Sequence, residues 1–278
     1  MPASFGPSSA HPSRTADRDR FARSFGGVVE AYDRARPAYP ADAVAWLLGA
    51  GSRRVLELGA GTGKLTGVVR AAGHQVFATE PDPQMLARLV DRHPGVAAAQ
   101  AGAEALPAAT RSVDTVLAGQ ALHWFDLDRA LPEIARVLRP GGDLALTWNI
   151  MDARIPWVRR LRTLIDAPAE PPDEEIARID ASDLFAPFES ATFRFWQPLD
   201  RNALAALVSS VSAVAVRDEA GRAEVLAAAD ALYDEYGRGH EGMLLPYVTY
   251  AYRATVRPQD EAGSADPLEV DSLLIDFR

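Results

Sequence analysis

Between residues 41 and 148 short apolar runs alternate with helical patterns, and this alternation restricts the fold more than any other feature of the chain. The stretches 54–58 (RVLEL), 75–79 (QVFAT), 96–99 (VAAA), 113–118 (VDTVLA) and 144–148 (LALTW) read as strands. Between them fall a helix over 41–48, a helix over 64–72, and a third that Asp82 caps and Pro83 opens. A fourth runs through Ile134 and Leu138 and closes at Pro140-Gly141-Gly142. Pro132 lies inside that last segment and removes an interior hydrogen bond, which predicts two short helices or a kink. Strands and helices taking turns at this spacing imply an α/β chain built on a parallel sheet with helices on both faces.

In such a sheet a ligand binds outside the carboxyl ends of the strands, near the point where strand order reverses. Here that region holds residues 57–66, ELGAGTGKLT. A phosphate-binding P-loop needs a Gly five positions before Gly63 and a Ser or Thr after Lys64; the chain has Leu58 and Leu65. The dinucleotide fingerprint needs its third Gly at position 64, where Lys64 stands, so a nicotinamide-dependent oxidoreductase is a weaker reading. What remains is a strand ending in an acid, then a G-x-G-x-G turn that lets a ligand approach the backbone closely. Glu80 ends the second strand. An acid there can accept hydrogen bonds from both hydroxyls of a ribose, or it can cap the turn beside Pro81.

Composition excludes several classes. The chain has 278 residues, 48% hydrophobic and 24% charged, enough for one globular domain with additions. A net charge of -9 argues against nucleic acid as the main partner, since phosphate neutralisation calls for basic patches. There is no Cys, which removes disulfides, thiolate nucleophiles and Cys-ligated metals and fits a cytoplasmic protein. No apolar run is long enough to span a bilayer, and the first residues have no signal-peptide core. His11, His74, His93 and His240 show no metal-ligand spacing, so no metal is implied. Residues 1–22, rich in Ser, Pro, Ala and Arg, read as a flexible arm, and 259–278 as an acidic tail. The folded domain then covers 23–258.

The ordered set of motifs resembles the class I S-adenosylmethionine-dependent methyltransferases, in particular the small-molecule kind often called type 11. The resemblance runs from about Phe25 to Trp148. It rests on VLELGAGTGKLT, ATEPDPQML, AGAEALP, SVDTVLAGQALHWF and IARVLRPGGDLAL in that order. Any one of these alone would be weak. The stretch AYDRARPAYP and the pair His123-Trp124 resemble the branch that includes trans-aconitate methyltransferase-like proteins. The resemblance implies a Rossmann-like, seven-stranded, mostly parallel sheet with a helical cap after the fifth strand, the cap elements lying within 151–243.

It also implies S-adenosyl-L-methionine as cofactor. Gly59, Gly61 and Gly63 would pack against its methionine end, which carries no phosphate, and Glu57 would face the amino group, through water. Lys64 is then a helix-start residue pointing to solvent. By the same resemblance Glu80 takes the ribose, Ala103 and Glu104 read the adenine, and Gln120 joins the cofactor set. Met85 packs on the adenine face or within its own helix. Tyr32, Arg36 and Tyr39 form either a lid meeting the methionine carboxylate or a surface helix packed through its rings.

Methyl transfer from a sulfonium depends on alignment and desolvation, so a dedicated base is optional. His123, after the fourth strand, is either a base or acceptor contact, or a structural His beside Trp124. Arg36 is the candidate to orient an anionic acceptor, and the expected acceptor is a small carboxylic acid methylated on oxygen. Residues 151–188 are expected to cap the site, with Trp157, Arg159 and Arg160 as substrate contacts or solvated side chains. Residues 202–216 carry a helical pattern, and 243–257 alternate like a reversed edge strand. A cofactor-binding scaffold or cyclase that transfers no methyl group is the alternative.

Overall fold

A computed structural model describes residues 36–237 and 242–258. The arm and the tail expected at 1–22 and 259–278 lie outside the described residues, as does Tyr32. The elements are α1 (Ala41–Leu48), β1 (Arg54–Leu58), α2 (Lys64–Ala71), β2 (Gln75–Thr79), α3 (Pro83–Arg92), β3 (Ala97–Ala99) and β4 (Val113–Gly119). After a 3-10 turn at Leu122–Trp124 come α4 (Leu127–Val137) and β5 (Leu138–Met151). Then follow α5 (Pro156–Leu164), α6 (Asp173–Asp180), β6 (Glu189–Leu199), α7 (Arg201–Ser209), α8 (Ser212–Ala215), α9 (Glu219–Tyr236) and β7 (Met243–Thr255).

The strands form one seven-stranded sheet in the order β3-β2-β1-β4-β5-β7-β6. The first five are parallel, and β7 runs antiparallel to both β5 and β6. Because β1 lies between β2 and β4, the connections from these two central strands leave in opposite directions and open a crevice above their carboxyl ends.

Strand alternation sorts the core. Leu56, Leu58, Val116, Ala118, Leu144 and Leu146 face one side, where α4 buries Ala130, Leu131 and Ile134. Val55, Val76, Leu117 and Ala145 face the other, under Val44, Leu47 and Leu48 of α1 and Leu65 and Val69 of α2. A further cluster joins α5, α7 and α9 to the start of β7 through Val158, Leu161, Leu204, Leu207, Val225 and Tyr247. These elements are the cap after the fifth strand. Local signals start several helices: the Asp82 carboxylate accepts from the amides of Gln84 (2.8 Å) and Met85 (3.0 Å), with Pro83 as the first helical residue. Asp200 and Asp218 cap α7 and α9 in the same way.

The structure departs from the expectations in four places. First, α4 ends at Val137, because Pro140 pushes Arg139 toward extended backbone and the chain enters β5 directly. Pro140-Gly141-Gly142 sits inside β5, at a register shift where Val113 pairs with Leu138 but Thr115 with Asp143. Second, of the two alternatives at Pro132, two short helices or a kink, the first is excluded, because Pro132 lies within one helix. Third, β7 is an interior strand. Fourth, the edge is β6, the one strand of the seven without an expected position; its exposed Trp196 and its Pro198 suit an edge, where a missing N–H disturbs only one ladder.

Candidate active site

The turn after β1 is held open by its glycines. Gly59, Gly61 and Gly63 all have positive φ (61°, 57° and 83°), which L side chains rarely adopt. At Gly59 space forbids a side chain as well, since a Cβ would lie 2.8 Å from the Ala121 Cβ. The turn is braced from β2: the Ala60 amide donates to the Thr79 carbonyl (3.0 Å) and the Gly61 amide to Glu80 Oε2 (2.8 Å). The other Glu80 oxygen accepts from the Asp82 amide at 2.9 Å. Glu80 therefore joins the glycine turn to the start of α3. Burial, opposed by these two amides, raises its pKa above the usual carboxylate value.

Glu57 ends β1 beneath the turn and is 1% exposed. Thr66, one turn into α2, donates its hydroxyl to Glu57 Oε2 at 2.7 Å. Burial pushes the Glu57 carboxyl up to about 8, with the nearby Glu80 charge adding to the shift. Met85 is buried on α3, with its Sδ 3.9 Å from where a Gly61 Cβ would lie. Beyond β3, Ala103 is buried and Glu104 Oε1 accepts from the Asp126 amide at 2.8 Å, tying that loop to the loop after β4.

Two hollows open above the strand ends. The smaller, about 50 Å³, is lined by Glu57, Gly59, Gly61, Lys64, Tyr39 and Gly119 among others. The larger, about 300 Å³, holds His123, Trp124, Met151 and Tyr247 in its wall. Arg36, Pro37, Gln120 and Asn149 line both. Gln120 takes a positive φ of 58° as its amide donates to the Thr147 carbonyl (2.9 Å) and its Nε2 to the Asn149 carbonyl (3.3 Å). Asn149, 6% exposed, donates from Nδ2 to the Ala38 carbonyl (3.4 Å) and accepts the Thr249 hydroxyl (2.7 Å). The segment Arg36 to Tyr39 thus covers the site, and Tyr39 approaches Gly119 so closely that a Cβ there would lie 2.7 Å from the phenol oxygen.

Of the candidate residues, Glu57, Gly59 and Gly61 line the smaller hollow, His123 the larger, and Arg36 and Gln120 both. Gly63, Glu80 and Met85 support the site from the turn, and Ala103 and Glu104 lie toward the adjoining loop. His123 is exposed, with its ring centroid 4.7 Å from that of Trp124. Lys64 corrects the expectation: it lines the smaller hollow, half-buried, and burial lowers its pKa. Arg36, Pro37 and Tyr39 line the same hollow. The arginines of α5 face elsewhere. Arg160 pairs with Glu235 at 2.8 Å, Arg159 donates to the Ala153 carbonyl at 3.1 Å, and Trp157 meets the Tyr236 ring. Asn149 and Tyr247 were not anticipated; neither carries a motif, and only the pairing of β7 with β5 brings Tyr247 to the site.

A family described as a methyltransferase domain matches residues 56–146. A Mycobacterium tuberculosis protein named an uncharacterized methyltransferase is 41% identical over 244 residues, 87% of this chain and 99% of that protein. The chain belongs to the class I S-adenosylmethionine-dependent methyltransferases. This methyltransferase is also 38% identical over 120 residues to a malonyl-[acyl-carrier protein] O-methyltransferase of Methylococcus capsulatus, 40% of this chain and 44% of that protein. Among solved structures, an Anaeromyxobacter dehalogenans protein described as a type II methyltransferase has a TM-score of 0.57 at 26% identity, covering 80% of this chain and 97% of the other. Among the described residues of the methyltransferase, no helix is long and apolar enough to cross a membrane, and no cluster of His, Asp and Glu could hold a metal.

Proposed function

We propose that this methyltransferase transfers a methyl group from S-adenosylmethionine to the carboxylate of a small organic acid bound in the larger hollow. The observation that carries the reading is that the two hollows share Arg36, Pro37, Gln120 and Asn149 in their walls, which supports a cofactor bound in one beside an acceptor bound in the other.

The residues present fit the cofactor. The smaller hollow combines a buried acid, Glu57, with two cations, Arg36 and Lys64, beside a bare glycine backbone. That set suits a zwitterionic amino-acid end: Glu57 takes the ammonium and Lys64 the carboxylate, which leaves Arg36 for the acceptor. The crowding at Gly59 leaves a smooth backbone surface for close approach. Glu80 keeps a lone pair on each oxygen for the ribose hydroxyls, and Ala103, Glu104 and Met85 form the adenine end. When bound, the cofactor supplies an electrophilic methyl group on a cationic sulfur, which a carboxylate oxygen can displace without first losing a proton. The chain's task is then to orient the acceptor and exclude water. Arg36, shared by both hollows, orients the acid, and His123 hydrogen-bonds it from the rim. The O-methyltransferase named above, which acts on a malonyl group, supports transfer to oxygen.

The test is incubation with isotopically methyl-labelled cofactor and a pool of carboxylic acids, alcohols and amines, read by mass spectrometry, beside calorimetry with S-adenosylhomocysteine. Labelled esters are expected. Label appearing only on hydroxyl, nitrogen or carbon overturns the carboxylate reading; a folded protein that binds no S-adenosylhomocysteine overturns methyl transfer itself.

A further inference from the structure

We infer that the acceptor is a monocarboxylic acid with an apolar body, and that Tyr247 is the residue that positions its carboxyl group. The inference rests on the methyl-transfer reading above and narrows its substrate.

Tyr247 stands on β7 opposite Met151 of β5 and Phe195 of β6, so the sheet holds its backbone on both sides. Its ring stacks on that of Phe195, with centroids 5.2 Å apart and planes 10° from parallel. The residue is 3% exposed and forms part of the cavity wall. Its hydroxyl is buried with no hydrogen-bond partner among the described residues. A polar group in that position costs free energy unless something satisfies it, and at the wall of a cavity a ligand atom can supply the partner. Burial raises the phenol pKa, with the Arg36 charge acting in the opposite sense, so near neutral pH the hydroxyl keeps its proton and can donate. Tyr247 and Arg36 thus border one cavity and are close enough to interact electrostatically. A neutral donor beside a cation suits one carboxylate.

The remaining wall argues against a second carboxylate. Trp124, Ile150, Met151, Pro168, Val211 and Ala213 contribute apolar surface to the same cavity. Arg36 and His123 are its only basic lining residues among those described, and the one acid of the wall, Asp166, is exposed. A di- or tricarboxylate would have to strip water from further charges against aliphatic side chains, and would meet Asp166 as a like charge. An acid whose remainder is alkyl or aryl buries that remainder instead.

The experiment compares hexanoate and 3-phenylpropanoate with succinate, citrate and trans-aconitate as acceptors, using labelled cofactor, in the full chain and in Tyr247→Phe. The substitution keeps the ring and its stack on Phe195 and removes only the hydroxyl. Expected are labelled esters from the monocarboxylates in preference to the others, and a roughly tenfold to hundredfold lower kcat/KM in Tyr247→Phe, mainly through KM. S-adenosylhomocysteine affinity should stay within about twofold and thermal stability should be equal or higher, because a buried unsatisfied hydroxyl is removed. A structural role alone would lower stability and leave KM unchanged. Preferential methylation of succinate, citrate or trans-aconitate overturns the apolar monoacid while leaving the methyl-transfer reading intact. An unchanged kcat/KM in Tyr247→Phe removes Tyr247 from the site. Failure to bind S-adenosylhomocysteine overturns both readings together.

Discussion

Gly63 and His93 occupy the same corner of the site: the imidazole Nε2 lies 2.7 Å from the Gly63 carbonyl oxygen, and a Cβ on Gly63 would fall 2.7 Å from the ring Cδ2. The end of α3 therefore braces the glycine turn, helped by Arg92, whose Nη1 donates to the Thr62 carbonyl at 3.3 Å. Gly63 also has a φ of 83°. Gly63→Ala should destabilise the fold by about 1–3 kcal/mol, from backbone strain and the clash with the ring. Adding His93→Ala removes the contact with the ring but neither the strain nor the 3.0 Å approach to Leu89 Cγ, so the double variant should be more stable than the sum of the two single losses. Urea unfolding of the four proteins reads the coupling; strict additivity would show that the ring does not press on Gly63.

Glu57 is the titratable group with the largest consequence for pH. Unfolded, it ionises near the ordinary carboxylate value of about 4.3, whereas burial in the fold pushes it up to about 8. Between these values the unfolded chain binds fewer protons at this site, so stability from Glu57 is complete below the lower value and falls as pH rises through the window. Glu57→Gln does not titrate, and its stability relative to the parent should grow from pH 5 to pH 8. The same substitution should weaken S-adenosylhomocysteine. In the parent, binding should tighten from pH 6 to pH 8 as Glu57 ionises beside the ligand ammonium, and in the variant it should stay flat. Parallel pH slopes in calorimetry would remove Glu57 from the ammonium site.

Where a fold signal is local, the residues declare it. Val55-Leu56 with Leu58, and Val76 to Ala78, supply the apolar positions of two short segments bounded by turns, and β1 and β2 match the expected strands residue for residue. Asp82-Pro83 marks the start of α3 by a cap whose hydrogen bonds the structure contains. The edge strand β6 was missed although Ala191, Phe193, Phe195, Gln197 and Leu199 alternate inward, because the surrounding helices dominate the pattern of that region. The larger hollow was legible only in part: Arg36, His123 and a cap from residues 151–188 were expected around it, whereas Val211 and Tyr247 reach it only through packing of distant segments. Lys64 was expected at the solvent for a related reason, since nothing in its own neighbours shows that residues 36–39 line a hollow with it.

Glu80 serves two ends at once. Each carboxylate oxygen already accepts a backbone amide, from Gly61 and from Asp82, and each retains a lone pair for a ribose hydroxyl. Glu80→Gln places an NH2 group against one of those amides. Cofactor affinity should fall roughly tenfold to hundredfold, the equivalent of ~1.5–3 kcal/mol for hydrogen bonds to a charged group. Thermal stability should fall too, because one turn amide loses its acceptor. If calorimetry finds S-adenosylhomocysteine binding unchanged while stability drops, Glu80 is a cap of the turn and not a ribose ligand.

His123 separates acceptor chemistries. It is exposed at the rim of the cavity, on the 3-10 turn after β4, with its ring tilted at 47° to that of Trp124. A carboxylate needs no base, so on the proposed reading His123 holds the acceptor by a hydrogen bond. His123→Gln retains a donor and an acceptor and should keep most of the turnover. His123→Ala should raise the acceptor KM while leaving S-adenosylhomocysteine binding intact. An alcohol or a carbon acid would instead have to lose a proton during transfer, and His123→Gln would then forfeit the ~10²–10⁴-fold that general base catalysis contributes. A loss of that size in kcat, with cofactor affinity unchanged, would make His123 the base and exclude a carboxylate as the methylated group.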